Sequence, residues 1–237
     1  MTSQRLGCLF GLGVGPGDPE LITVKAARLL AACPVVAYPA AEGGDSFARR
    51  IVADLIRPDQ REIAIAVPMD VARDPAQEVY DAAARQIGSE LQAGNDVALL
   101  CQGDPFFYGS FMYVFGRLAE HFPVEVVPGV SSMMACAARL GMPLAAREDV
   151  LTVVPATLPE AALEARLATT DAAAIYKLGR HVQKVRAVLR RLDLLDHARY
   201  VERATLAEER RMPLTDAPDI APYFALALVH RRGSALG

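Results

Sequence analysis

The chain has 237 residues, of which 52% are hydrophobic and 22% charged, and its formal net charge is −3 at neutral pH. This length allows one large domain or two modest ones, and the hydrophobic fraction excludes an intrinsically disordered chain. The acidic balance argues against a dedicated nucleic-acid binder, which usually carries a strong basic excess, so no nucleic-acid partner is expected. Residues 127–237 hold 15 basic and 12 acidic side chains, a surplus that fits either an acidic ligand or a solvated surface.

The four cysteines lie far apart among apolar neighbours, at Cys8, Cys33, Cys101 and Cys136. This spacing fits neither a disulfide framework nor a metal site, and it predicts buried free thiols in a reducing cytoplasm. The four histidines also lack metal-ligand spacing, so no metal is expected. The N-terminus does not have the pattern of a signal peptide, and the longest apolar stretch is shorter than the ~20 residues of a membrane span. A cytoplasmic protein without membrane contact is therefore expected.

Apolar strands alternate with amphipathic helices along the first half of the chain. Strands are predicted at residues 6–14, 35–38, 62–67, 96–101 and 124–127, and helices at residues 18–32, 46–56, 76–93 and 110–120. Asp18 and Pro19 mark the start of the first helix, as its cap and its first helical residue.

The same alternation continues in the second half. Helices are predicted at residues 131–140, 159–167 and 181–192, and strands at residues 151–154, 172–176, 200–201 and 223–229. The charged run from Glu208 to Arg211 is interpreted as a solvated face. The alternation favours a mostly parallel α/β architecture. We predict an N-terminal α/β domain at residues 1–126 and a C-terminal α/β domain at residues 127–237, with a cleft between them.

The first candidate motif is GLGVGPGDP at residues 11–19. A dinucleotide fingerprint needs G-x-G-x-x-G, and every register, starting from Gly11, Gly13 or Gly15, fails at its last position. Asp18 would also repel a pyrophosphate at the start of the helix. The glycines indicate a turn in which the backbone comes close to something other than a phosphate, and a structural turn and a ligand loop both stay open.

The second candidate motif is LLCQGDPFFYGS at residues 99–110, in which a buried strand ends in Gly103 and Asp104. Ligands bind at the carboxyl ends of parallel strands. A carboxylate there would accept hydrogen bonds from ribose hydroxyls or an amine, and the aromatic residues would wall a flat ring. The alternative is an Asp-Pro turn with Phe106 and Phe107 in the core.

The third candidate motif is PGVSS at residues 128–132, where a strand again leads into a helix. Helix capping explains one of the two serines, and the other is left for a ligand. No G-x-S-x-G or P-loop pattern occurs.

Together and in this order, the three motifs resemble the tetrapyrrole (corrin/porphyrin) methylase family. YKLGR at residues 176–180, ERAT at residues 202–205 and the last apolar strand are also similar to that family, so the resemblance covers essentially the whole chain. Within the family, residues 103–113 and 128–135 are most similar to precorrin-2 C20-methyltransferases of cobalamin biosynthesis. Gln102, where many other members have glycine, is compatible with that subgroup.

The resemblance implies a homodimer of two α/β domains that binds S-adenosylmethionine in the cleft between them, not on a Rossmann glycine turn. Pro16 would bound the cleft. The methionine part would contact Gln102, Gly103 and Asp104, and the pocket would be lined by Phe107 and Tyr108. Further cofactor contacts would come from Ser131 and Ser132, and the adenosine would be framed by Lys177, Ala204 and Ala225.

The implied reaction is methylation of C20 of the tetrapyrrole precorrin-2, which gives precorrin-3A. The methyl sulfonium is already activated and C20 is electron-rich, so the protein has mainly to hold the reacting atoms in line. The proton that C20 loses would pass to Asp104, Tyr108 or water, and these alternatives stay open. We favour a binding role for Asp104.

Two other hypotheses stay open. The first is methylation of a different target: another ring carbon, cobalt-factor II, or a protein or RNA group, of which RNA is disfavoured by the acidic balance. The second is a non-catalytic nucleotide-binding or sensor module, which turnover of S-adenosylmethionine with precorrin-2 would exclude.

Overall fold

A computed structural model of the protein describes residues 5–41, 46–67 and 73–235. The chain divides into two compact units, Met1–Ser131 and Ser132–Gly237. The division lies after Ser131 instead of after residue 126, because the strand Val124–Val127 pairs along its length with the first strand of the chain.

The first unit is built on a five-stranded sheet. Its strands are β1 (Leu9–Gly13), β2 (Val35–Ala40), β3 (Arg61–Ala66), β4 (Val97–Cys101) and β5 (Val124–Val127), in the sheet order β3-β2-β4-β1-β5. Its helices are α1 (Val24–Ala32), α2 (Phe47–Ile51), α3 (Arg73–Gln92) and α4 (Phe111–Leu118). Every strand pairing is parallel, which confirms the prediction for this unit.

Helices cover both faces of this sheet and form an apolar core on each. Ile87 of α3 and Phe111 of α4 belong to one core, and Leu30 of α1 and Ile51 of α2 belong to the other. Strand β4 is buried at all five positions, and its side chains enter the two cores alternately. A strand buried on both faces has a continuous apolar sequence, and this is why VALLC is recognisable as a central strand.

The second unit also contains a five-stranded sheet. Its strands are β6 (Leu151–Pro155), β7 (Ala172–Tyr176), β8 (Ala198–Glu202), β9 (Arg210–Pro213) and β10 (Ala225–His230), in the order β6-β7-β10-β8-β9. Its helices are α5 (Ser132–Leu140), α6 (Glu160–Ala168) and α7 (Val182–Arg191). Helices α6 and α7 contribute to one apolar core, and α5 contributes to a second. The α/β class predicted for the chain is confirmed.

The prediction of a mostly parallel sheet is wrong for the second unit. Strand β6 pairs in parallel with β7, whereas β10 is antiparallel to both β7 and β8, and β9 is antiparallel to β8. After β8 the chain makes a long excursion and returns as β10, which lies between β7 and β8. It therefore separates two strands that a simple strand–helix–strand unit would leave as parallel neighbours.

The first helix begins later than predicted. The Asp18 carboxylate accepts a hydrogen bond from the Glu20 N–H at 2.9 Å, but this caps a single 3-10 turn, Pro19–Leu21. Helix α1 starts at Val24, after Thr23, whose hydroxyl accepts from the Ala26 N–H at 3.1 Å. Within the described part of the chain, no helix combines the length and the apolar character needed to cross a membrane.

A buried polar cluster joins the loop before β6 to the end of β10. The Asp149 side chain is 6% exposed and accepts from the Ala146 N–H at 2.9 Å and from Arg232 at 2.9 Å. The Nδ1 atom of His230 accepts from the Arg232 N–H, so Nε2 carries the proton and donates to Asp149 at 3.2 Å. The Ala146 N–H, together with His230 and Arg232, holds the pKa of Asp149 below its ordinary value.

This lowered pKa predicts an acid-sensitive contribution to stability. Because the folded-state pKa of Asp149 lies below the unfolded value of about 3.9, its contribution is complete above that value and is lost as the pH falls through the folded pKa. Chemical denaturation should show the wild type losing more stability than Asp149→Asn between about pH 5 and pH 3. Glu148→Gln, at an exposed neighbour, is the control. If the free energies of unfolding of the wild type and Asp149→Asn fall equally over this pH range, the assignment is wrong.

Candidate functional site

The first-unit residues predicted for the site all follow the carboxyl ends of adjacent parallel strands. Gly13 of β1 pairs with Cys101 of β4, and Leu12 pairs with Val127 of β5, so the three strands end at one edge of the sheet. We call this the first edge; it carries residues 14–18, 102–110 and 128–131. In parallel α/β sheets this is the edge at which ligands bind.

At the first edge, glycines from the three strand ends and loops lie in close backbone contact. A Cβ atom on Gly13 would lie 2.5 Å from the Gly129 nitrogen and 2.8 Å from the Gly103 oxygen, and a Cβ on Gly129 would lie 2.1 Å from the Gly103 oxygen, so neither Gly13 nor Gly129 can carry a side chain here. Gly15 and Gly103 exchange backbone hydrogen bonds, with the Gly103 N–H donating to Gly15 at 2.8 Å. The glycine-rich start therefore serves close contact between chain segments, and contact of this turn with a ligand stays a prediction. Pro16 is buried directly after it.

The Asp104 carboxylate connects two of these loops. Its Oδ1 atom accepts from the Phe106 N–H at 2.9 Å, and its Oδ2 atom accepts from the Gly129 N–H at 3.0 Å. Two backbone donors thus fix the direction of the carboxylate and tie the second motif to the third. Each oxygen keeps a further lone pair for a ligand.

The aromatic part of the second motif has an unusual backbone. Tyr108 has a φ of 56°, a region that residues other than glycine rarely adopt, and its side chain is 46% exposed. A Cβ on the following Gly109 would lie 2.6 Å from the Pro105 oxygen, so the turn is tight. The Phe107 ring lies edge-on to Tyr108, with centroids 5.1 Å apart. Strain of this kind persists where the surroundings impose it, often at ligand sites.

The remaining predicted residues of the first unit lie beside these. Gln102 is half-buried directly after β4. Ser131 is also half-buried. A Cβ on Gly103 would lie 4.0 Å from the Cα atom of Ser131, which is an ordinary van der Waals distance. The first edge therefore brings together Pro16, Gln102, Gly103, Asp104, Phe107, Tyr108 and Ser131. Phe106, considered above as a core residue, is 50% exposed.

The second-unit residues gather at one end of its sheet, which we call the second edge. Ser132, the first residue of α5, donates a hydrogen bond to the Tyr176 hydroxyl at 3.2 Å. Tyr176 ends β7, and the exposed Lys177 follows it with a φ of 57°. The start of α5 and the end of β7 are therefore held side by side.

Ala204 and Ala225 complete the second edge. Ala225 of β10 pairs with Glu202 of β8, and the Arg203 N–H donates to the Phe224 oxygen at 2.8 Å. Ala204 is buried against α5 and β10. The second edge therefore brings Ser132, Lys177, Ala204 and Ala225 to adjacent strand ends.

Sequence reasoning missed the polar groups that support the second edge. Glu202 is 3% exposed, accepts from the Tyr200 hydroxyl at 2.5 Å and pairs with Arg210 at 3.2 Å. Burial, together with Glu202, raises the pKa of Tyr200. The spacing of Tyr200 and Glu202 could have revealed this contact, because residues two positions apart in a strand have side chains on the same face of the sheet. Glu209, within the run interpreted as a solvated face, is also buried; its side chain is 6% exposed.

Neither a thiol nucleophile nor a metal cluster is present in the part of the chain described. The four cysteines are free, and burial raises the pKa of Cys33 and of Cys136 to about 12, so these thiols are neutral at pH 7. Among the described residues, no three His, Cys, Asp or Glu side chains converge as a metal site requires. The arrangement consists of backbone groups, hydroxyls and aromatic rings, which suit binding and orientation of a small molecule.

Known proteins are similar in sequence to this chain over nearly its whole length. The family model of tetrapyrrole (corrin/porphyrin) methylases matches residues 9–218. A precorrin-2 C(20)-methyltransferase from Sinorhizobium sp. is 43% identical, and the match covers 97% of both chains. A cobalt-precorrin-2 C(20)-methyltransferase from Salmonella typhimurium is 32% identical, with 95% of this chain and 97% of the relative covered.

The fold also has a close counterpart among solved structures. The uroporphyrin-III C-methyltransferase from Thermus thermophilus, complexed with S-adenosylhomocysteine, superposes with a TM-score of 0.70 at 28% identity. The match covers 94% of this chain and 97% of that one. On the extent of the family match and of the similarity to full-length relatives, the chain belongs to the tetrapyrrole (corrin/porphyrin) methylase family.

Proposed function

We propose that the protein transfers a methyl group from S-adenosylmethionine to C20 of precorrin-2, giving precorrin-3A in cobalamin biosynthesis. The observation that carries the proposal is the 43% identity, over 97% of both chains, to the Sinorhizobium precorrin-2 C(20)-methyltransferase. Gln102, singled out above as compatible with this subgroup, agrees with it.

The residues of the two edges fit S-adenosylmethionine chemically. Backbone groups of Gly103 and the hydroxyl of Ser131 suit the amino-acid part, and the partly exposed Tyr108 ring suits a flat or cationic group. The small side chains of Ala204 and Ala225 leave room for the adenosine. The complex of the Thermus relative with S-adenosylhomocysteine supports this choice of cofactor. A cofactor site formed in a cleft between the two units stays a prediction.

The protein's own part in the proposed reaction is mainly positioning. S-adenosylmethionine supplies a methyl group already activated on its sulfonium, so no protein nucleophile is needed. We propose that Asp104 holds the loops of the first edge in place for the cofactor, because both its oxygens accept from backbone N–H groups. Asp104, Tyr108 and water remain the candidate acceptors for the proton that C20 loses.

The main alternative is that the substrate contains cobalt. The relative named for metal-free precorrin-2 is 43% identical and the one named for cobalt-precorrin-2 is 32% identical, which favours the metal-free substrate. The surplus of basic residues after residue 126 suits the carboxylates of either substrate.

We also propose that the protein is a homodimer in the cytoplasm. Three apolar or aromatic side chains of one segment, outside the proposed cofactor contacts, are 36–50% exposed: Phe106, Met112 and Tyr113. An exposed apolar patch of this kind supports a self-association surface. The four free cysteines support a reducing compartment.

The proposed substrate is tested by turnover with a labelled methyl group. Precorrin-2 and its cobalt-containing counterpart are assayed side by side with labelled S-adenosylmethionine, and magnetic resonance locates the label. We expect one label at C20 and a higher kcat/KM for metal-free precorrin-2. A label on another ring carbon would overturn the C20 assignment, and no label in a protein that binds S-adenosylhomocysteine would overturn the enzymatic proposal.

The positioning role of Asp104 is tested by Asp104→Asn and Asp104→Ala, with the exposed Glu120→Gln as control. Asparagine offers one acceptor oxygen and alanine none, so calorimetry should show S-adenosylhomocysteine affinity lowered about tenfold in Asp104→Asn and further in Asp104→Ala. Turnover at saturating cofactor should change little. If Asp104 were the general base, its replacement would instead lower turnover about a hundredfold and leave the affinity for S-adenosylhomocysteine unchanged. If Asp104→Asn matches the wild type in both respects, Asp104 is only a turn residue.

The proposed dimer is tested by light scattering. The wild type should have about twice the mass of one chain, and Tyr113→Glu should dissociate it because a charge would be buried at the interface. Val24→Glu is the control, because Val24 is 87% exposed on a different helix. A wild type with the mass of a single chain over a wide concentration range would contradict the dimer.

A further inference from the structure

The segment between β8 and β9 carries strain on both sides of Ala204. Arg203 has a φ of 50° and Thr205 has a φ of 71°. Both values lie in the left-handed region, which L-residues with a Cβ rarely adopt, least of all a β-branched threonine. Two such residues within three positions need an external restraint to stay in this conformation.

Glu209 supplies that restraint. Its Oε2 atom accepts a hydrogen bond from the Thr205 N–H at 2.6 Å. The same carboxylate accepts from Arg139 at 2.8 Å and pairs with Arg211 at 3.1 Å, and its side chain is only 6% exposed. A buried carboxylate with three donors has a fixed position, so it can hold the backbone of Thr205 in place.

The charge of Glu209 is maintained despite burial. Burial by itself would raise the pKa of Glu209, but the hydrogen bonds from Arg139 and the Thr205 N–H outweigh it, and the pKa lies below its ordinary value. The neighbouring Glu208 is exposed. Two adjacent glutamates therefore have different environments, and this makes Glu208 a matched control.

The restraint connects the strained segment to another part of the second edge. Arg139 lies in α5, the helix that starts at Ser132, and Arg211 lies in β9. Ala204 itself packs into the apolar cluster that contains Met133 of α5. Glu209 thus joins, through one carboxylate, the loop of Ala204 to the helix that presents Ser132.

We propose that Glu209 is a positioning residue, which holds the Arg203–Thr205 backbone in the conformation that binds the cofactor. The inference rests on the proposed function, because contact of Ala204 with S-adenosylmethionine is part of that proposal. Glu209 itself acts only through the backbone of Thr205.

The first experiment measures the dissociation constant of S-adenosylhomocysteine by calorimetry, well below the melting temperature of each variant. We expect Glu209→Ala to weaken binding about tenfold, because the Thr205 N–H and both arginines lose their acceptor. Glu209→Gln keeps an acceptor oxygen and should lose less. Glu208→Ala should bind like the wild type.

The second experiment separates positioning from general stability. Glycine adopts a φ near 71° without strain, so Thr205→Gly added to Glu209→Ala should restore the affinity to within about threefold of the wild type. Because relief of strain at this position also stabilises the fold, binding is measured well below the melting temperature of each variant, where global stability does not limit the affinity.

The inference is overturned if Glu209→Ala binds S-adenosylhomocysteine as the wild type does, or if its loss of affinity is not repaired by Thr205→Gly. Either result, in the presence of normal binding by the wild type, leaves the proposed function intact. Absence of binding by a folded wild type would instead overturn the proposed function, and the inference with it.

Discussion

The contact of three glycines at the end of the first sheet is the constraint on which the first edge depends. Gly13, Gly103 and Gly129 let three loops approach at backbone distance, and a Cβ on Gly13 would lie 2.5 Å from the Gly129 nitrogen. The hydrogen bond from the Gly129 N–H to Asp104 joins two of the same loops. Every predicted first-unit site residue belongs to one of these loops, so their positions follow from this contact.

The second edge is held in place by contacts of a different kind. Its edge has no glycine contact of this kind among the described residues; two buried carboxylates support it instead, one through side chains and one through a backbone N–H. Glu202 is satisfied by Tyr200 and Arg210, and Glu209 by the Thr205 N–H and arginines. A methyltransferase that relies on orientation needs such rigid supports, because a small displacement of the reacting atoms costs much of the rate.

The sequence allowed the first sheet and the loops after its strands to be predicted because local signals and tertiary structure agree there; the cofactor contacts of these loops stay a prediction. Strand β4 is apolar at every position, and the Gly–Asp–Pro turn follows it directly. The antiparallel insertion of β10 was not predicted, since strand–helix alternation carries no information on where a late strand enters a sheet. The buried state of Glu209 was not predicted either, because its partner Arg139 lies 70 residues away in the chain.

The central proposal is that residues of the first edge and residues of the second edge both contact S-adenosylmethionine when it binds. Amide hydrogen exchange with and without S-adenosylhomocysteine tests it most directly, because it reports on backbone groups of both units at once. We expect slower exchange on binding in residues 102–108 and in residues 203–205, and no change in the exposed part of α3. Slower exchange in one of these segments without the other, or in neither, would contradict the proposal.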